Sequence, residues 1–129
     1  MPMNQTDYKS MLKSQQGELD AILMYQALAD HATNKKDAEI FRKLAKEEGR
    51  HAAVFHNYTS VELRPKKLKA TLLPILVKCL GRRRAYQLIA NGEYSAAKKY
   101  QHLASLYPEV VSVRDDETRH GDMVLKLLL

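Results

Sequence analysis

The chain has a single cysteine, no tryptophan, four prolines and five glycines in 129 residues. Cys79 alone builds neither a disulfide framework nor a four-cysteine zinc or rubredoxin-type iron site, and it suits a reducing, cytoplasmic setting. Apolar runs are short. The longest, residues 70–77, contains Pro74 and is bounded by Lys69 and Lys78, well under the ~18 residues a spanning helix needs. The first residues are polar and carry no basic-then-apolar leader pattern. The net charge of +6 gathers around Lys66, Lys67, Lys69, Arg82, Arg83, Arg84, Lys98 and Lys99. No aromatic-interleaved or groove-reading motif accompanies it, so the basic residues read as solvated faces and bundle ends. Neither nucleic acid nor a membrane is expected as partner. With 45% hydrophobic residues, the length supports one domain, residues 1–129, around one core.

What is present is a repeated pentapeptide, Glu47-Glu48-Gly49-Arg50-His51 and Asp116-Glu117-Thr118-Arg119-His120. Glu at i and His at i+3 share one face of a helix, so each repeat can aim a carboxylate and an imidazole at one metal ion. Glu18 and Glu93 lie in two further amphipathic helical runs. Four Glu and two His form the donor set known from ferritin-like dinuclear carboxylate bundles.

Spacing supports that grouping. The midpoint between Glu18 and Glu48 falls beside Asn34, and that between Glu93 and Glu117 falls near Tyr107-Pro108. In an antiparallel helix pair, residues equidistant from the turn share a level. With 1.5 Å per residue, the two pairs lie roughly 22 Å and 18 Å from their turns. Turns at opposite ends of a bundle about 40 Å long would bring all four Glu to one height.

The pattern predicts a first helix from the Asn4 cap to about Ala32, with Met11, Gln15, Glu18, Ile22, Tyr25 and Ala29 inward. Asn34 caps a second, facing inward with Phe41, Leu44, Glu48, His51 and Phe55. A break over residues 58–65 precedes a short apolar helix over 68–80, ended by Gly81. A third long helix runs from Arg82 to Leu106 with Tyr86, Ile89, Glu93, Ala96, Tyr100 and Leu103 inward. After Pro108 a fourth presents Val110, Val113, Glu117, His120, Val124 and Leu127. The expected fold is all-α: a four-helix bundle of two antiparallel hairpins joined by a long crossover that holds a short helix.

Four buried carboxylates at one level must be neutralised, and two divalent cations would do so. Oxygen-rich ligation with one His per metal suits iron or manganese better than structural zinc. Glu47 and Asp116 can accept the second imidazole N–H of their own His, four residues on, or point outward. Tyr25, seven residues after Glu18, can hydrogen-bond an opposing carboxylate, act as a redox-active phenol, or simply pack. Gly17, Gly49, Gly92 and Gly121 adjoin the proposed ligands, where they relieve crowding or occur by chance. His31, His56 and His102 fall off the ligand faces. Cys79 reads as a small apolar residue of the connecting helix.

These stretches, with Tyr25, resemble the rubrerythrin branch of the ferritin-like superfamily over essentially the whole chain. The resemblance implies a di-iron bundle, often dimeric, acting on hydrogen peroxide or oxygen. By the usual arrangement Glu48 and Glu117 bridge the metals, Glu18 and His51 complete one, and Glu93 and His120 the other. Two departures stand out. The rubredoxin domain is absent, so peroxide reduction needs an external electron donor protein. The extra Glu that rubrerythrins often carry three residues after the third-helix ligand is Ala96 here, which brings the site closer to the six-ligand form of ferritins and of ferritin-like domains joined to iron transporters. The expected function is a di-iron oxidoreductase, oxidising ferrous iron or reducing peroxide. The alternative is a non-catalytic iron-binding, sensing, storage or transport module.

Overall fold

Asparagine opens both helices of the first half. In the computed structural model, which describes residues 3–129, the Asn4 and Asn34 side chains accept the backbone N–H of Asp7 and Asp37, each at 2.8 Å. These bonds satisfy donors that a helix start leaves without intrahelical partners. They begin α1 (Gln5–His31) and α2 (Lys35–Thr59). Ser60 closes α2 in the left-handed conformation, φ 57°. After an irregular stretch come α3 (Leu68–Leu80), α4 (Arg82–Leu106) and α5 (Glu109–Lys126). Gly81, at φ 89°, makes the abrupt junction between α3 and α4 that a side chain would strain. Pro108 forces the residue before it out of the helical region, and Tyr107 is extended there. The described residues contain no strand, as expected.

α1 packs along α2, and α4 along α5. The two capping aspartates fix the ends. Asp7 is buried and accepts from the Tyr107 hydroxyl and His102 Nε2, both at 3.0 Å. The start of α1 therefore sits beside the α4–α5 turn. Asp37 accepts from Arg82 Nε and Nη2 at 2.7 and 2.9 Å and from the Tyr86 hydroxyl. Arg82 also reaches the Leu127 carbonyl, so the α1–α2 turn sits at the opposite pole.

The apolar interior divides into two clusters. One, around Tyr25, Leu28, Phe41, Leu44, Tyr86, Ile89 and Val124, lies toward the Asp37 pole. The other, around Met11, Phe55, Tyr100, Leu103, Val110 and Val113, lies toward the Asp7 pole. Between them the helices present a polar layer.

The inward stripes follow the predicted register with small shifts. Met24 and Leu28 are buried on α1 while Ile22 is half-buried, and on α4 Ala97 is buried while Ala96 is half-buried. The larger difference concerns α3. None of its residues is buried, although Leu73 and Val77 pack on the core. Cys79 lies in this connecting helix, as expected, and is exposed: the helix is apolar on both faces and only one face is covered.

Burial pushes the Asp37 carboxyl up, but hydrogen bonds from Arg82, Tyr86 and Asn34 outweigh it and hold the group below its usual value. A depressed carboxylate stabilises the fold above its unfolded pKa of 3.8 and loses that contribution as pH falls through the folded value. Asp37→Ala is expected to cost about 2–4 kcal/mol at pH 7, because it strands the Tyr86 hydroxyl and breaks the Arg82 pair. Urea unfolding at pH 7 and again in acid, where the difference from wild type shrinks, checks both the size and the sign.

Candidate metal centre

Four helices each bring one carboxylate to the polar layer. Glu18 comes from α1, Glu48 from α2, Glu93 from α4 and Glu117 from α5, all 6% exposed or less. The i, i+3 spacing places His51 and His120 one turn beyond Glu48 and Glu117. His51 Nδ1 lies 3.5 Å from Glu18, 3.1 Å from Glu48 and 3.0 Å from Glu117. His120 Nδ1 lies 3.1 Å from Glu48, 3.7 Å from Glu93 and 3.6 Å from Glu117. The donor atoms form two overlapping groups of four, Glu18, Glu48, His51 and Glu117, then Glu48, Glu93, Glu117 and His120, and a group of three, Glu48, His51 and His120, that links them, each within 4.8 Å. Glu48 and Glu117 belong to both groups of four. All six residues expected to converge do so.

The orphaned atoms show what the cluster suits. Glu18 Oε2, Glu48 Oε1, His51 Nδ1, Glu93 Oε2, Glu117 Oε1 and His120 Nδ1 are buried without a hydrogen-bond partner. Each unmade buried bond costs about 1–3 kcal/mol. Six of them, one per side chain, around one centre are the donors a cation would satisfy.

The other atoms of these side chains are tied down. The Tyr100 hydroxyl donates to Glu18 Oε1 at 2.8 Å, and the Tyr25 hydroxyl donates to Glu93 Oε1. His51 Nε2 lies 2.8 Å from Asp116 Oδ2 and His120 Nε2 lies 3.0 Å from Glu47 Oε1. A carboxylate acceptor puts the proton on Nε2 and leaves the Nδ1 lone pair for the centre. Arg119 binds both acids, with its Asp116 contact at 3.0 Å.

Glu47 and Asp116 thus serve imidazoles, but by exchange: each acid holds the His of the other hairpin, not its own. Sequence reasoning also missed the Tyr100 contact. The signal was there, since Tyr100 follows Glu93 by seven residues as Tyr25 follows Glu18. The contacts of the two halves are reciprocal, and the two imidazoles stack with centroids 5.5 Å apart.

Crowded carboxylates in a dry layer resist ionising together. Burial and the Glu18 charge raise the carboxyls of Glu48 and Glu117, the latter to about 12. Glu93 is held low against its burial by His120, Glu117 and Tyr25. Burial lowers both imidazoles, but the carboxylates around them prevail and hold them above their usual value. Burial, with the charges of neighbouring glutamates, keeps the Tyr25 and Tyr100 phenols protonated.

Glycine answers a close approach at one position. A Cβ on Gly121 would stand 2.5 Å from the Tyr94 ring, whereas at Gly17 and Gly92 it would meet nothing within 4 Å. The crowding relieved at Gly121 is against Tyr94, not the ligands. His31, His56 and His102 lie outside the cluster, and His56 is paired with Glu62 at 2.9 Å.

Residues 9–128 match the family model described as Rubrerythrin. No curated protein and no solved structure gives a significant match.

Proposed function

Because the chain belongs to the rubrerythrin family, we propose that its centre holds two iron ions and that the protein is an oxidoreductase acting on peroxide or oxygen. The observation that carries this reading is the set of six orphaned donor atoms at one level. Glu18 and His51 would serve one ion, Glu93 and His120 the other, with Glu48 and Glu117 shared. Four carboxylates and two imidazoles favour iron, or manganese, over a closed tetrahedral zinc site. Iron there would supply one-electron chemistry between ferrous and ferric states. We read residues 60–80 as the crossover of a ferritin-like bundle, which lets the two hairpins meet with turns at opposite poles.

The chain's own groups have definite tasks. Tyr25 and Tyr100 hold the terminal carboxylates of Glu93 and Glu18, and keep phenolic protons inside a site from which the two apolar clusters exclude water. Asp116 and Glu47 hold His51 and His120 in one tautomer. Ala96 offers no alternative carboxylate beside Glu93. Cys79 alone forms no electron-carrying iron site, so reduction falls to a separate donor protein.

Turnover tests the proposal. Iron-loaded protein, given peroxide and an excess of ferrous iron or an artificial reductant, is expected to cycle many times. Tyr25→Phe is expected to slow cycling about 100-fold, the low end of the usual range for a positioned proton donor, with iron content unchanged. A single cycle per loaded site would instead assign the protein to iron sensing, storage or delivery.

A further inference from the structure

A helix that is apolar on two opposite faces normally has both covered, yet α3 is covered on one side only. Its inner side chains, Leu73 and Val77, pack on the core. Leu68, Leu72, Ile75 and Cys79 recur at i, i+4, i+7 and i+11 and form one outward stripe. Leu68 is 75% exposed and Ile75 52%. No helix among the described residues is long and apolar enough to cross a membrane, so this stripe can lie on a surface but does not span one.

Charge identifies the surface. The 30 residues from Leu63 to Gly92 hold eight of the 21 Lys and Arg and none of the 15 Asp and Glu. The remainder of the chain is slightly acidic. Lys66 and Lys67 stand at one end of the stripe, Arg83 and Arg84 beyond the other, and Lys69 and Lys78 flank it; all six are exposed. Arg82 is occupied by Asp37, and Asp20, the nearby acid of α1, accepts the Lys66 backbone N–H. Composition alone reads these cations as solvated. Their placement around an uncovered apolar stripe gives them a shared purpose. A second copy docked stripe to stripe would bring two such basic rims together without a compensating acid.

We propose that α3 is a membrane-surface helix that lays Leu68, Leu72, Ile75 and Cys79 into the headgroup boundary of an anionic lipid bilayer, with the surrounding lysines and arginines on the lipid charges. The bundle and its polar layer would then ride on the bilayer with α3 beneath.

The full chain would be sedimented with phosphatidylcholine vesicles and with vesicles containing about one-third phosphatidylserine. Cys79, the single cysteine, would carry an environment-sensitive dye. Expected are co-sedimentation with the anionic vesicles only, reversal by salt, and a blue shift of the dye. Lys67→Gln/Lys69→Gln should lower partitioning about 25-fold, at roughly fivefold per charge. Leu72→Ser/Ile75→Ser, both at exposed positions and checked for helicity by circular dichroism, should lower it at least about tenfold. No preference for anionic vesicles would overturn the proposal. So would a concentration-dependent dimer abolished by Leu72→Ser/Ile75→Ser, which would make the stripe a contact between copies.

Discussion

Replacing Glu48 and Glu117 together by glutamine is expected to make the metal-free protein more stable, by about 2–5 kcal/mol at pH 7, while removing its capacity for metal. Both carboxyls are raised above their usual value by burial and by Glu18. A raised carboxyl is paid for in stability: the contribution is intact below the unfolded pKa of 4.5 and falls away as pH rises toward the folded value. Glutamine keeps the shape of the protonated acid without that cost, so the variant's stability should also vary less between pH 5 and 8, a window of about three units. Chemical unfolding in the presence of a chelator reads both effects. If the carboxylates served the fold, as Asp37 does through Arg82 and Tyr86, the double variant would be less stable than wild type instead. Stability sacrificed at a cluster of functional groups is a common trade.

The second large effect concerns the exchanged acids. Asp116→Ala is expected to weaken metal binding about 10- to 100-fold, and the loss should fall on the ion held with His51, although Asp116 lies on the helix of His120. His51 Nε2 is the group 2.8 Å from Asp116, and without that acceptor the ring loses both its tautomer and its orientation. A double-mutant cycle on metal affinity makes the point sharply. Asp116→Ala and His51→Ala should be strongly non-additive, because the first acts through the second, while Asp116→Ala and His120→Ala should come close to adding. Coupling to His120 in place of His51 would mean that the acids act along their own helix.

That exchange marks where sequence reasoning stops. Periodicity places a residue on a face, and the i, i+3 spacing of Glu48 with His51 and of Glu117 with His120 needs nothing more to be legible. Distance from the turns likewise sets Glu18 and Glu93 at the right level. Asn4 and Asn34 announce their helices because an N-cap is a local bond. Which partner an inward side chain meets on another helix is a tertiary matter, so the acid-to-imidazole exchange, the Tyr100 contact with Glu18 and the anchoring of Asp7 by Tyr107 were not readable in the same way. Tyr100 is the partial exception, since its seven-residue offset from Glu93 repeats that of Tyr25 from Glu18. For α3 the pattern located the helix and Cys79 within it, but which of its two apolar faces is covered depends on its neighbours and was not readable.

Anaerobic titration of the metal-free protein with ferrous iron, in a weakly buffered solution with a pH indicator, tests the central claim most directly. The four carboxylates and two imidazoles predict two irons per chain. They also predict net release of protons at pH 7, because the Glu48 and Glu117 carboxyls and both imidazoles are held above their usual values. Saturation at no stoichiometric level, with iron and with manganese alike, would contradict the account and leave the orphaned donors at mid-bundle without a cation to explain them.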